Sequence, residues 1–199
     1  MSGDLSALVS ARLCHDLISP MGAIGNGLEL MQLSQPASSA ELDLVAGSLG
    51  SALAKLRFYR LAFGPLDVHG RLSMDEIRSV CDAMFSGRFT VAWSGPVDLP
   101  RATVKLAFLA LLCLEKSLPM GGAGRVSAEG DNVALAVEAR RTAPPAELWD
   151  LVAGGAQPET LRPDGIQFAL LRQALDDAGR SIEIAFADTG ASLTMTAPA

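Results

Sequence analysis

The 199 residues carry 49% apolar and 19% charged side chains with a mean hydropathy of +0.29, which supplies a packed core and excludes intrinsic disorder. The formal net charge is −6, the pI about 4.9 and the aromatic content 5%. With no Lys/Arg-rich run, these values argue against nucleic acid and anionic membrane as partners.

The first residues, Met1-Ser2-Gly3-Asp4, lack the basic flank and apolar stretch of a signal peptide. The longest apolar run, Leu106 to Leu114, is about half the roughly 20 residues a membrane-spanning helix needs, and reads as a helix buried on all sides. Cys14, Cys81 and Cys113 are widely spaced with no CxxC pair. They read as reduced thiols, neither a disulfide framework nor a metal site, and a cytoplasmic protein is expected.

A division is expected near residue 65, with a helical unit over 1–65 and a mixed unit over 66–199. From Leu5 apolar residues step through Val9, Leu13, Leu17, Met21, Ile24, Leu28 and Met31, the spacing of a helix in a bundle seam. Gln35-Pro36 breaks it, and Ser38-Ser39-Ala40-Glu41 is a capping box for the next helix. There Leu42, Leu49, Leu56 and Phe63 recur by heptads, with Val45, Ala52 and Tyr59 in the complementary positions, up to Gly64-Pro65. A lone hairpin cannot cover its apolar seams, and two hairpins paired as a four-helix bundle can, so a homodimer is expected.

Downstream, Ser73-Met74-Asp75-Glu76 is a second capping box, followed by a strand over Arg88 to Trp93. A long buried helix starts at Pro100 and ends at Leu118, before the Pro119-Met120-Gly121-Gly122 turn. A hairpin is expected over Arg125–Glu129 and Asn132–Arg140, short helices over Ala146–Val152 and Ile166–Ala178, and strands over Ser181–Ala187 and Ser192–Thr196. This order predicts an α+β fold in which one mixed sheet is covered on one face by helices.

The two histidines have different contexts. His69 lies in a linker-like stretch and reads as a solvated loop residue. His15 is on the first helix, where at about 100° per residue it lies roughly 180° from the middle of the apolar arc. Its face also carries Leu8, Arg12, Ser19, Gly22 and Asn26, a mostly small and polar set that lets another protein approach the imidazole. Geometry alone is also compatible with an ordinary surface histidine. Cys14, His15 and Asp16 are consecutive, do not face one another on a helix, and make no nucleophilic triad. An exposed neutral imidazole on a rigid helix can act as a nucleophile toward phosphorus.

His15-Asp16-Leu17-Ile18-Ser19-Pro20-Met21 resembles the H-box of two-component histidine kinases, H-[DE]-L-x-[ST]-P-[LM], at all six defined positions. The wider segment from Arg12 to Leu30, and the element order of the whole chain, resemble the ChpT family of histidine phosphotransferases. The resemblance implies a helical hairpin forming a dimeric four-helix bundle, followed by a degenerate histidine-kinase-type (Bergerat-like) α/β sandwich. A working kinase domain needs an Asn-bearing helix for Mg²⁺, a D-x-G-x-G loop and a Gly-rich lid. Here the corresponding helix from Thr103 to Leu118 has no Asn, Val137 to Pro144 lacks that Asp and the glycines, and Arg162 to Phe168 keeps the single Gly165. ATP is not expected to bind and no cofactor is expected; Gly121-Gly122-Ala123-Gly124 reads as a turn between helix and strand.

What the resemblance implies is a phosphorelay intermediate. His15 takes a phosphoryl group from a receiver-domain aspartate and passes it to another, with Mg²⁺ supplied by the receiver. Asp16 would tune the imidazole. Arg12 would either steady phosphoryl oxygens or pair with Asp16 one turn away, and Leu8, Ser19, Gly22 and Asn26 would meet the receiver. In the family the donor is a CckA-type hybrid kinase and the acceptors are CtrA-type and CpdR-type response regulators. The alternative is a non-catalytic dimeric adaptor that binds response regulators, which leaves the intact H-box without a use. A third reading, an ATP-dependent kinase, lacks the three nucleotide motifs.

Overall fold

The computed structural model of the chain describes residues 5–33, 39–65, 69–129 and 132–197. Two long helices open it: α1 (Leu5–Leu33) and α2 (Ser39–Ala62). The predicted break at Gln35-Pro36 and the cap at Ser38 lie outside the described residues. The two helices approach closely at Gly27, where a Cβ would sit 2.5 Å from Val45 Cγ2. Only glycine lets the backbones come this near without displacing Val45.

The heptad rows of α2 face different surroundings. Ala52 and Tyr59 are buried, whereas Leu42, Leu49 and Leu56 remain about half exposed. The last turns of α2 enter the core of the elements that follow. Phe58 stacks on Phe108 with ring centroids 4.3 Å apart and meets Phe85 edge-on at 5.2 Å. Hairpin and sheet are therefore joined by packing as well as by chain.

Next come β1 (Arg71–Ser73) and α3 (Met74–Met84). The predicted cap is present: Glu76 N–H donates to Ser73 Oγ at 3.2 Å. β2 (Phe89–Ser94) precedes β3 (Asp98–Pro100), which pairs antiparallel with β1. This small ribbon has no alternation long enough to show in the sequence, and no strand is expected at either segment. α4 (Arg101–Lys116) then runs through the middle of the molecule, every residue from Leu106 to Leu114 buried. That explains why its apolar run shows no amphipathic period.

Gly121, with φ +77°, ends the turn after α4; a Cβ there would lie 2.0 Å from the Arg88 carbonyl oxygen. The rest of the glycine cluster belongs to β4 (Gly122–Glu129), which forms a hairpin with β5 (Asn132–Glu138). The chain closes with α5 (Ala146–Val152), a 3₁₀ turn (Pro163–Gly165), α6 (Ile166–Asp177), β6 (Ser181–Ala187) and β7 (Gly190–Thr196).

The main sheet has the order β2-β4-β5-β7-β6, with β2 and β4 parallel and all other pairs antiparallel. Strict alternation buries Val91 and Trp93, Val126 and Ala128, Val133, Leu135 and Val137, and Leu193 and Met195 on one face. α4 and α6 pack on that face, giving the expected mixed sheet with helices on one side. Cys81 and Cys113 are buried and not joined in a disulfide, and Trp93 Nε1–H points at Cys81 Sγ, 3.1 Å away. Among the described residues no helix is long and apolar enough to cross a membrane, and no cluster of three or more His, Cys, Asp or Glu side chains is placed to hold a metal.

Candidate functional site

α1 carries a proline inside it, and this shapes the site. Pro20 has no N–H, so the carbonyl four residues earlier, that of Asp16, loses its helical donor. Lys55 of α2 fills the gap, its Nζ donating to Asp16 O at 3.0 Å. One turn further along α2, the Tyr59 hydroxyl donates a short hydrogen bond to Asp16 Oδ2. Arg12, one turn before Asp16 on α1, donates from Nε to the same oxygen at 2.6 Å. The other carboxylate oxygen, Oδ1, lies 3.0 Å from His15 Nδ1.

Burial differs sharply across this group. The side chains of Asp16 and Arg12 are 12% and 19% exposed, whereas His15 is 83% exposed. Burial alone would push the Asp16 carboxyl up, but the hydrogen bonds from Tyr59 and His15 and the Arg12 charge hold it below the usual carboxylate range. Asp16 is therefore an anion near neutrality and can only accept. The proton in the His15–Asp16 bond must then sit on Nδ1, so in the neutral imidazole the lone pair is on Nε2, the nitrogen turned away from Asp16.

The site is tied to the rest of the molecule through Asp164 in the 3₁₀ turn. Arg12 Nη1 donates to the Asp164 carbonyl at 3.4 Å, and the Asp164 carboxylate pairs with Lys116 at the end of α4. Of the two roles weighed for Arg12, its side chain takes the pairing with Asp16. Ser19, Gly22 and Asn26 continue the exposed surface beside His15. Leu8 does not. It is half-buried against a cluster of Leu151, Ile166 and Ala169, because the first two turns of α1 dock onto α5 and α6. His69 is exposed, as expected.

Tyr59 and Lys55 were not recognisable as site residues from sequence. The heptad pattern places Tyr59 in the inner row of α2, but not which residue of α1 it meets. The one available signal is its identity: it is the chain's single tyrosine, a hydroxyl in an otherwise small and apolar row.

The model of the histidine phosphotransferase C-terminal domain family matches residues 74–190. A curated relative, the protein phosphotransferase ChpT of Brucella abortus, is 33% identical over 190 residues, covering 91% of this chain and 90% of the relative. This chain belongs to the ChpT-type histidine phosphotransferases. A solved bacterial phosphotransferase shares its fold with a TM-score of 0.83 at 31% identity, over 98% of this chain and 97% of that one. The likeness therefore spans the hairpin as well as the sheet domain. Membership of the ChpT-type family gives the chain a phosphotransferase activity and places it in phosphorelay signalling.

Proposed function

We propose that His15 is the phospho-acceptor through which this phosphotransferase relays a phosphoryl group between receiver-domain aspartates. The observation that carries the reading is the pairing of an exposed imidazole with a buried, ionised Asp16 at 3.0 Å. Nδ1 is occupied and Nε2 is presented outward, which is the arrangement a nucleophilic imidazole requires. Nε2 attacks the phosphorus of a receiver acyl phosphate. The N–P bond forms as the P–O bond breaks, and the receiver aspartate leaves as a carboxylate. The cationic phosphoimidazole keeps its Nδ1 proton, held by Asp16, and the reverse sequence loads the next receiver. Ser19, Gly22 and Asn26 form the approach surface, and Mg²⁺ is brought by the receiver.

The donor is read as a CckA-type hybrid kinase and the acceptors as CtrA-type and CpdR-type regulators. ATP is not a substrate in this reading. The cleft between the end of α4, α5 and the 3₁₀ turn is lined by Lys116, Pro145, Leu148, Arg162 and Asp164. Its Asp164 is taken by Lys116, and the sequence around it holds neither the D-x-G-x-G loop nor the G-x-G lid that a nucleotide would use. A homodimer is supported by the hairpin's exposed apolar rows, Leu42, Leu49 and Leu56 on α2 among them.

The test follows label from a prephosphorylated receiver without ATP, beside His15→Gln. Acid-labile, alkali-stable labelling of the native protein is expected. The variant is expected to take up none, and labelled ATP alone should label neither. Binding without labelling by every competent donor would instead favour a non-catalytic adaptor.

A further inference from the structure

We propose that Tyr59 is a positioning residue of the transfer reaction: from α2 its hydroxyl clamps Asp16, and Asp16 in turn holds the His15 ring with Nε2 outward. The inference rests on His15 being the phospho-acceptor, and it adds a residue that no H-box contains.

The geometry has three parts. An Asp side chain on a helix surface has freedom about χ1 and χ2, and a carboxylate that swings freely cannot fix a neighbouring ring. Here Oδ2 is held from two directions, by Tyr59 from α2 and by Arg12 Nε at 2.6 Å from α1. That leaves Oδ1 as the oxygen 3.0 Å from His15 Nδ1. Tyr59 is itself immobile: it is 3% exposed, its ring stacks on Phe63 with centroids 4.9 Å apart, and it meets Phe58 edge-on at 6.3 Å. Lys55, one turn earlier on the same face, fastens the Asp16 backbone through the carbonyl that Pro20 leaves free. Side chain and main chain of Asp16 are thus both anchored on α2.

His15 itself has no partner as rigid. At 83% exposure its orientation comes from Asp16. In a free neutral histidine side chain the proton prefers Nε2, so a loosened Asp16 shifts the tautomer toward Nε2–H and moves the lone pair to Nδ1, away from the incoming phosphorus.

The experiment compares native protein with Tyr59→Phe, which keeps the ring packing and deletes the hydroxyl. ¹⁵N NMR of the histidines reads the His15 tautomer in the unphosphorylated protein, and single-turnover transfer from a phosphorylated receiver reads rate and affinity separately. The variant is expected to lose Nδ1–H population and to slow transfer on the order of tenfold, with receiver affinity unchanged within about twofold. Should Tyr59→Phe not fold, global fluorotyrosine labelling perturbs this one hydroxyl alone, since the chain has a single tyrosine. Its more acidic hydroxyl draws Asp16 charge toward Oδ2. A His15 tautomer population and transfer rate different from the native values are expected, and unchanged values overturn the role of Tyr59. An unchanged tautomer with normal transfer overturns the role of Tyr59 and leaves His15 as acceptor. A native protein that is never labelled on His15 overturns the relay reading and this inference with it.

Discussion

At Asp16 three side-chain groups converge on one carboxylate, and this gives two residues opposite pH signatures. The Asp16 carboxyl is held below the usual range by the bonds from Tyr59 and His15 and by Arg12, against the opposing effect of burial. Its contribution to stability is therefore present above the unfolded value of about 3.9 and is lost as pH falls through the lower folded value. Tyr59 is shifted upward, first by burial and then by its bond to Asp16. Its contribution is present below about pH 10 and is lost only as pH rises through the folded value. Thermal unfolding across pH should show both limbs. Asp16→Asn is expected to flatten the acid limb and to cost about 1–3 kcal/mol by leaving Arg12 half-buried without its anion. Tyr59→Phe is expected to make the alkaline limb shallower, the remainder coming from the buried thiols of Cys81 and Cys113, which burial also pushes up. The Arg12–Asp16 pair was legible from its i,i+4 spacing. The link from Asp16 to the adjacent His15 came only from the family resemblance, because consecutive helix residues diverge at the backbone and meet here through side-chain reach. Tyr59 was not legible: it reaches Asp16 across 43 residues of chain, and periodicity carries no information on inter-helix register. Leu8 misled because a helical wheel treats a whole face as one environment, whereas α1 passes from contact with α5 and α6 to open surface within three turns.

Among the elements, α1 and α2 show what periodicity conveys and what it leaves open. The seam predicts that both helices have apolar rows, and both do. Which row faces inward was decided by neighbours far along the chain: Phe58 and Tyr59 go inside because α3 and α4 receive them. The fully buried α4 and the alternating strands were readable, since burial on all sides and burial on one face leave different patterns. The β1–β3 ribbon was too short to leave one. Helix spacing makes a further prediction. A Cβ at Gly27 meets stiff Val45, whereas one at Gly22 meets nothing within 4 Å. Gly27→Val is expected to destabilise by about 1–3 kcal/mol through overpacking. Gly22→Ala should stabilise by up to about 1 kcal/mol from helix propensity. Chemical denaturation of the two variants side by side checks both.

For the molecule as a whole, the main unfinished surface lies along the hairpin. Ile18, Met21 and Leu28 of α1 and Leu42, Leu49 and Leu56 of α2 are each 47% to 69% exposed. Contiguous apolar exposure of this kind marks an interface, and two hairpins brought together would cover it. Leu49→Asp is expected to turn a dimer into a monomer in sedimentation equilibrium while leaving the sheet domain's circular dichroism intact. A native protein that already sediments as a monomer would overturn the assembly. The shared core described above has one more consequence. With α2 embedded beside α4, and Arg12 bonded to Asp164, both helices of the hairpin are held against the elements that follow them. A protein that drew phosphate from its own bound nucleotide would have to carry that nucleotide to the histidine. In the relay reading nothing inside the chain has to travel. In that reading the moving part is the visiting receiver, which carries the phosphoryl group in and out.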